Sequence, residues 1–129
     1  MVIDASALLA ILKLEPEREQ FSRAILRASK RLMSPVNWLE CAIRIERVRS
    51  EDMRALEALV AASGIVIVPV DQFQMRTAHT AYRDFGKGRH PAALNLGDCF
   101  AYALAKATGE PLLYKGADFP RTDIVSALS

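Results

Sequence analysis

Short apolar segments alternate with longer helical patterns along this chain, and the alternation constrains the fold more than any other feature. Three of the segments are 2–4, 31–33 and 65–68, and a fourth begins at Pro111. Segment 65–68 is a run of β-branched residues, which predicts a buried strand. Strands separated by helices favour a parallel sheet that carries helices on both faces. The sequence therefore predicts an α/β fold.

The helical patterns have recognisable starts and ends. Pro35 stands at a good first-turn position, Asp71 is placed to cap a helix, and Gly64 and Gly109 follow helical stretches as C-terminal glycines do. The predicted helices cover residues 6–14, 16–30, 35–49, 51–62, 71–85 and 97–108. Because neither a repeat nor a linker interrupts them, we expect a single domain over residues 1–129.

Composition excludes several classes of protein. The 129 residues are 51% hydrophobic, which is enough for one substantial core. No run approaches the ~20 apolar residues of a membrane span, and residues 1–4 lack the charged start of a signal peptide. We therefore expect a cytoplasmic protein without a membrane partner. Cys41 and Cys99 stand far apart on predicted helices, which indicates buried reduced thiols rather than a disulfide framework.

Four acidic residues occur near predicted strand ends or inside apolar helical stretches: Asp4, Glu40, Asp98 and Asp118. The carboxyl ends of parallel strands share one edge of the sheet, and ligands bind there. Carboxylates gathered at that edge would repel one another, and a hard divalent cation with oxygen ligands removes the conflict. The pattern therefore indicates a metal site. With only His79 and His90 beside the two cysteines, zinc is disfavoured.

Ser6 and Glu40 also have purely structural explanations. Ser6 precedes an apolar helix as a helix N-cap does, yet it is close enough to Asp4 to support that carboxylate or a metal-bound water. Glu40 taken alone is best explained as an exposed residue that pairs with Arg44, four positions on. If it is buried instead, it needs a partner such as a cation.

Asp98 opens an almost wholly apolar helix. An acid in a first helical turn is favoured by the helix dipole, but the apolar residues that follow predict a buried helix whose start faces a crevice. Asn95 is placed to orient Asp98 or a phosphate. Asp118 has a simpler explanation, in which it is a capping residue in a turn. Asp71 is assigned to capping because nothing near it suggests chemistry.

The basic residues point to a polyanion as a partner. Lys and Arg number 17 against 15 acids, so the surface becomes clearly basic if metal neutralises four carboxylates. Lys87 and Arg89, in the glycine-spaced segment 86–90, are candidates for contact with a nucleic-acid backbone, although such loops are more often only solvated. Trp38 and Tyr102 are expected in the core or a dimer contact rather than as base-stacking platforms.

Several segments together resemble the PIN-domain ribonucleases, and specifically the VapC-type toxins of bacterial toxin–antitoxin pairs. They are 1–8 (MVIDASAL), 14–16 (LEP), the helix that bears Glu40, 82–90 (YRDFGKGRH), 94–102 (LNLGDCFAY) and 111–119 (PLLYKGADF). The last three are specific to the toxin branch. Ala117 departs from the pattern, since relatives often carry a polar or acidic residue there, and this affects only an auxiliary contact.

The resemblance implies a PIN-like three-layer α/β/α fold with a central, mainly parallel sheet. It implies RNA as the substrate, a homodimer, and inhibition by a small VapB-type antitoxin. Ser6 and Asn95 would support a site for Mg2+ or Mn2+, and the resemblance implies that the ligands of this cation are Asp4, Glu40, Asp98 and Asp118.

Our interpretation of the sequence is a metal-dependent endoribonuclease in which Lys87, Arg89 and Lys115 position the RNA backbone. A receiver-like regulatory domain is a rival, because Asp71 and Lys115 follow strands, but that fold requires paired acids after the first strand. A phosphatase is weakened for the same reason, since serine stands where the second acid is expected. The remaining alternative is a catalytically silent module that binds RNA or an antitoxin, which loss of one of the four acids would have favoured.

Overall fold

A computed structural model of the chain describes residues 1–48 and 53–128. Within these residues the chain forms four strands and six helices, and every element expected from the sequence is present. In chain order they are β1 (Val2–Ile3), α1 (Ala5–Leu12), α2 (Arg18–Arg27), β2 (Leu32–Met33), α3 (Pro35–Val48), α4 (Met53–Ala62), β3 (Val66–Ile67), α5 (Gln72–Phe85), α6 (Leu96–Thr108) and β4 (Leu112–Leu113). The expected helix ends at residues 49 and 51–52 lie outside the described residues.

The four strands form one parallel sheet in the order β3-β2-β1-β4. Val2 is in register with Leu32 on one side and with Leu112 on the other. Because all the described pairings are parallel, the carboxyl ends of the strands lie along a single edge, which we call the carboxyl edge. The predicted parallel sheet is confirmed.

Successive side chains of each short strand point to opposite faces of the sheet, and a hydrophobic core forms on each face. Ile3, Met33 and Leu113 are buried on the face covered by α1, α2, α3 and α4. The preceding residue of each strand packs on the opposite face against α5 and α6, and these residues are Val2, Leu32 and Leu112. A shift of one residue would exchange the two sets, so the packing fixes the register. The result is the three-layer α/β/α arrangement expected from the sequence.

The sequence predicts that segment 65–68 is a buried strand. The strand forms, but the prediction that it is buried is wrong. β3 forms, but its residues Val66 and Ile67 are 57% and 38% exposed. β3 is the outermost strand and pairs only with β2, so the helices that cover the central strands leave it open. Of this segment, Ile65 is the residue that is fully buried. β-Branched composition therefore predicted the strand correctly but not its position in the sheet.

Other details of the helices follow the sequence closely. The Asp71 side chain accepts a hydrogen bond from the Gln74 amide at 2.8 Å, which confirms its capping role. Cys41 and Cys99 are buried free thiols, as expected. In the described part of the chain, no helix has both the length and the apolarity required to cross a membrane.

Candidate metal centre at the carboxyl edge of the sheet

Asp4 lies at the centre of the carboxyl edge, directly after β1. Its backbone amide continues the ladder to β4 through a 2.9 Å hydrogen bond to the Leu113 carbonyl, and its side chain caps α1. Oδ2 accepts hydrogen bonds from the Ser6 amide at 3.1 Å and from the Ser6 hydroxyl at 2.5 Å. Oδ1 is buried and has no hydrogen-bond partner among the described residues. A buried carboxylate oxygen without a donor is costly unless something else binds it.

Ser6 connects Asp4 to the loop after β4. The N-cap of α1 is Asp4, so the interpretation of Ser6 as the cap is wrong. Its hydroxyl instead donates to Asp4 and accepts a 2.9 Å hydrogen bond from the Lys115 amide. Ser6 therefore fixes the rotamer of Asp4 without neutralising the charge.

Glu40 approaches the same place from α3 and is half-buried. The Asn37 side-chain amide donates to Glu40 Oε1 at 2.8 Å and to the Gly97 carbonyl at 3.0 Å, which ties α3 to the start of α6. Burial raises the pKa of Glu40, and the charge of Asp4 raises it further. The charge of Arg44 lowers the pKa of Glu40, but between the described residues the two form no ion pair, and Glu40 is half-buried, so the surface-pair alternative is wrong.

Asp98 lies in the first turn of α6 and is held by a capping box. The Asp98 amide donates to Asn95 Oδ1 at 2.9 Å, and the Asn95 amide donates to Asp98 Oδ2 at 3.1 Å. Burial raises the pKa of Asp98 from 3.8 to about 7, against the opposing effect of the Asn95 hydrogen bond. The charges of the three other acids raise it as well, and these acids are Asp4, Glu40 and Asp118. The three other predicted acids are thus all within electrostatic reach of Asp98.

Gly97 and Asn37 are residues of the site that the sequence reasoning missed. The Glu40 carboxylate occupies the space where a β-carbon at Gly97 would stand, so any other residue at position 97 would force that carboxylate to move. Asn37 is completely buried and holds Glu40 in that place. The available signals were a glycine in a first helical turn beside an acid, and an amide three residues before a lone glutamate.

Asp118 lies at the rim of the site. It is exposed and precedes a single 3-10 turn, Phe119–Arg121, where its backbone carbonyl accepts a 3.1 Å hydrogen bond from the Arg121 amide. Its side chain makes no capping hydrogen bond. Its charge acts on Asp98, so it belongs to the cluster electrostatically but is far better solvated than Asp4.

The donor chemistry of the cluster fits a hard divalent cation. Within residues 1–48 and 53–128, no three His, Cys, Asp or Glu side chains are drawn together into a closed set of ligands. Charges nevertheless act on a pKa over roughly 4–6 Å, whereas bonds from Mg2+ or Ca2+ to oxygen are about 2.0–2.6 Å. The carboxylates therefore influence one another's charge without forming a closed set of ligands. The donors are oxygens, and Asp4 Oδ1 has no other partner.

The basic loop 86–90 packs beside the start of α6. The Lys87 amide donates to the Leu94 carbonyl and the Leu94 amide donates to the Phe85 carbonyl, both at 2.9 Å. The loop is therefore tied to the residue just before Asn95, and Lys87 is exposed there. Arg89 is also exposed and lies over the Tyr82 ring, 5.9 Å from its centroid. Both side chains are exposed, and that of Arg89 also donates to the Arg83 carbonyl of α5 at 3.3 Å.

Lys115 is placed differently from the other two predicted RNA contacts. Its ammonium forms ion pairs with Glu15 and, at 3.3 Å, with Glu17. The side chain is thus directed at the connection between α1 and α2, where two carboxylates already satisfy it. An RNA contact by Lys115 remains a prediction that this geometry does not support.

The chain is similar to known proteins in sequence and in fold. Residues 1–125 match the sequence profile of the PIN domain. Ribonuclease VapC30 of Mycobacterium tuberculosis is 47% identical over 127 residues, which cover 98% of this chain and 97% of that protein. Ribonuclease VapC of Mycolicibacterium smegmatis is also 47% identical over 127 residues and is covered to 98%. The crystal structure of Mycobacterium tuberculosis VapC20, titled a Sarcin-Ricin loop cleaving toxin, has a TM-score of 0.76 over 96% of this chain and 95% of that chain. Because the two sequences are only 13% identical, this similarity supports the fold and nothing more.

Gly97→Ala is expected to destabilise the protein by about 1 kcal/mol, the low end of the cost of overpacking, because the added methyl group displaces the flexible end of the Glu40 side chain. In an Glu40→Ala background the space is empty, and alanine should then stabilise the helix by about 0.5–1 kcal/mol relative to glycine. Urea unfolding of the four proteins forms a double-mutant cycle that measures the coupling. An equal effect of Gly97→Ala in both backgrounds would show that the two residues do not compete for space.

Asp98→Asn should stabilise the metal-free protein in a pH-dependent way. The raised pKa of Asp98 means that the folded state binds more protons than the unfolded chain between pH 3.8 and about 7, so wild-type stability falls as the pH rises through that window. The asparagine oxygen can still accept the Asn95 hydrogen bond. Melting in chelator should show no gain near about pH 4 and a gain on the order of 2 kcal/mol near about pH 8, after discounting for partial exposure. A gain that is constant across this range would contradict the raised pKa of Asp98.

Proposed function

Because the chain belongs to the PIN-domain family and, within it, to the VapC ribonucleases, we propose that it is the toxin of a type II toxin–antitoxin pair and an endoribonuclease that uses Mg2+ or Mn2+. The observation that carries the proposal is the buried Asp4 carboxylate, which has an unsatisfied oxygen and lies beside two further acids of raised pKa. The reaction is hydrolysis of an RNA phosphodiester bond.

In this proposal Asp4, Glu40 and Asp98 hold the cation. When bound, the cation supplies Lewis acidity at the scissile phosphate. Asp118, on the solvated rim, completes a second site or orients the attacking water. The remaining work is done by neutral donors, because Ser6 fixes the Asp4 carboxylate and Asn37 fixes that of Glu40.

Asn95 holds the third carboxylate. Its backbone amide donates to Asp98 Oδ2, and its side chain caps the helix on which Asp98 stands. The amide N–H groups at the start of α6 also present the positive end of the helix dipole, which favours negative charge there. Asn95 therefore keeps Asp98 oriented toward the other acids while the site fills or empties.

Lys87 and Arg89 are proposed to hold the RNA backbone, since they are exposed on a loop tied to the residue before Asn95. The partners that we propose are a small VapB-type antitoxin and a second copy of the chain, and the place of action is the cytoplasm. The names of the relatives and the resemblance of the toxin-branch motifs support these assignments.

Purified protein is expected to cut RNA when Mg2+ or Mn2+ is present and to stop when a chelator is added. Asp4→Asn and Asp98→Asn should each lower the cleavage rate by about 10²-fold or more and abolish growth arrest in cells, because the cation requires the lost charge. Asp71→Asn is the matched control, since Asp71 only caps α5 and asparagine caps equally well. Undiminished cutting in chelator would refute the metal mechanism, and no cutting under any condition would favour a silent binding module.

Replacement of both Lys87 and Arg89 by alanine should weaken RNA binding and flatten its dependence on salt, because fewer counterions are released when fewer phosphates are contacted. The slope of log K against log salt should fall by about two. Mn2+ affinity measured by calorimetry should stay unchanged.

The matched control removes the same charge from another surface. Arg23 and Arg27 are exposed on α2, beside Met1 and Pro111 at the amino edge of the sheet, away from the site. Their replacement by alanine should leave the salt slope nearly unchanged. Equal losses of RNA affinity and salt slope in the two double variants would mean that RNA binding depends only on net charge and that the loop has no special role.

A further inference from the structure

Lys115 takes part in two contacts at once, one through its side chain and one through its backbone. The ammonium pairs with Glu15 and Glu17 at the α1–α2 connection. The amide of the same residue donates to the Ser6 hydroxyl at 2.9 Å, and Ser6 in turn donates to Asp4 Oδ2. A single residue therefore joins an acidic turn to the carboxylate at the centre of the site.

Few hydrogen bonds hold the loop that carries Lys115 near the site, although the Tyr114 ring packs on the buried Phe119 ring, 5.2 Å between centroids. The ladder between β1 and β4 ends with the hydrogen bond from the Asp4 amide to Leu113, and the Lys115 amide makes the next contact. Gly116 follows with a φ of 116°, a conformation that is open to glycine and strained for other residues. Residues 116–118 are exposed. Beyond Tyr114, the Lys115 side chain and its ion pairs are therefore the next contacts that hold the Lys115 amide in position.

The acidic turn is a defined structure that can provide this hold. α1 ends with hydrogen bonds from the Leu14 amide to Ile11 and from the Glu15 amide to Ala10, at 3.2 and 2.9 Å. Leu14 adopts a φ of 56°, which costs a non-glycine residue about 1–2 kcal/mol and persists only where the surroundings enforce it. The turn presents Glu15 and, just beyond, Glu17 to the ammonium.

The charges around Lys115 argue against a phosphate as its ligand. Two carboxylates surround one ammonium, so the group as a whole carries a net negative charge. The hydrogen bond with Glu15 raises the pKa of Lys115, which means that the charge is well compensated in place. An RNA phosphate that approached it would meet both glutamates and would have to displace them.

We propose that Lys115 is a positioning residue, whose ion pairs with Glu15 and Glu17 hold its backbone amide against Ser6 and thereby orient Asp4. The proposal rests on the proposed function for the role of Asp4. A positioning role and an RNA-binding role for Lys115 can be distinguished by measurement, because Glu15 and Glu17 have opposite effects in the two roles. If Lys115 positions Asp4, the two glutamates support the site. If Lys115 contacts RNA, the two glutamates weaken RNA binding.

The test compares Lys115→Met with the double variant Glu15→Gln and Glu17→Gln. We expect both to lower kcat and Mn2+ affinity by about 10-fold, the usual cost of losing a group that orients a metal ligand. KM for RNA should change little. The affinity for a single-stranded RNA oligonucleotide in chelator, and its salt slope, should equal those of the wild-type protein. Lys115→Arg, which keeps both ion pairs, should restore activity.

A direct contact with RNA predicts a different pattern and would overturn the proposal. Lys115→Met would then weaken RNA binding in chelator and lower the salt slope by about one, whereas the double glutamine variant would bind RNA more tightly. Lys106→Met is the control, because Lys106 is also ion-paired, to Asp123 at 2.8 Å, but lies in the last turn of α6. It should have no effect on either measurement.

Hydrogen exchange of the Lys115 amide tests the positioning without any need for catalysis. In the metal-free protein this N–H is protected by Ser6, and both the methionine and the double glutamine variants should exchange it about 10-fold faster. Unchanged exchange together with unchanged Mn2+ affinity would overturn the proposal even if the wild-type protein cleaves RNA. If the wild-type protein does not cleave RNA, faster exchange and weaker Mn2+ binding would still support the positioning role, and only the proposed function would fail.

Discussion

The carboxyl edge of this sheet holds Asp4, Glu40 and Asp98 where water solvates a carboxylate poorly. This burial is the main reason that the pKa of each is raised, and repulsion from the other acids raises the pKa of Glu40 and Asp98 further. Each is held by neutral donors, supplied by a serine hydroxyl, an asparagine side chain and a backbone amide. These hydrogen bonds favour the charged form of each carboxylate but do not cancel its charge. The charge therefore remains available to a cation, and its burial and the added repulsion are a cost that the rest of the fold must offset.

The fold carries this cost through its two cores and through α6. β1, which leads to Asp4, is buried on both faces of the sheet, so Asp4 cannot move away from the other acids to relieve the repulsion. α6 is buried along most of its length and begins at the site, where its dipole and its capping box favour the charge of Asp98. Lys115, the cation beside Ser6, is engaged by Glu15 and Glu17 and does not neutralise the cluster.

Sequence reasoning predicted the parts of this structure that depend on local pattern or on the direction of the strands. Asp4 was found because parallel strands end at one edge, and the capping role of Asp71 followed from its place before a helix. The parts that could not be predicted depend on packing between distant segments. The exposure of β3 follows from strand order, the need for glycine at position 97 follows from the approach of Glu40, and the partners of Lys115 lie about a hundred residues away.

The most direct test of cation binding by these acids is a crystal structure of the protein grown with Mn2+, with anomalous data collected at the manganese absorption edge. We expect an anomalous peak at the carboxyl edge that contacts Asp4 Oδ1, a buried oxygen without a hydrogen-bond partner, and an oxygen of Asp98. Crystals of Asp4→Asn grown under the same conditions should lack the peak. A fully occupied peak elsewhere, or wild-type crystals with an empty carboxyl edge at saturating Mn2+, would contradict the claim that these acids are gathered to hold a cation.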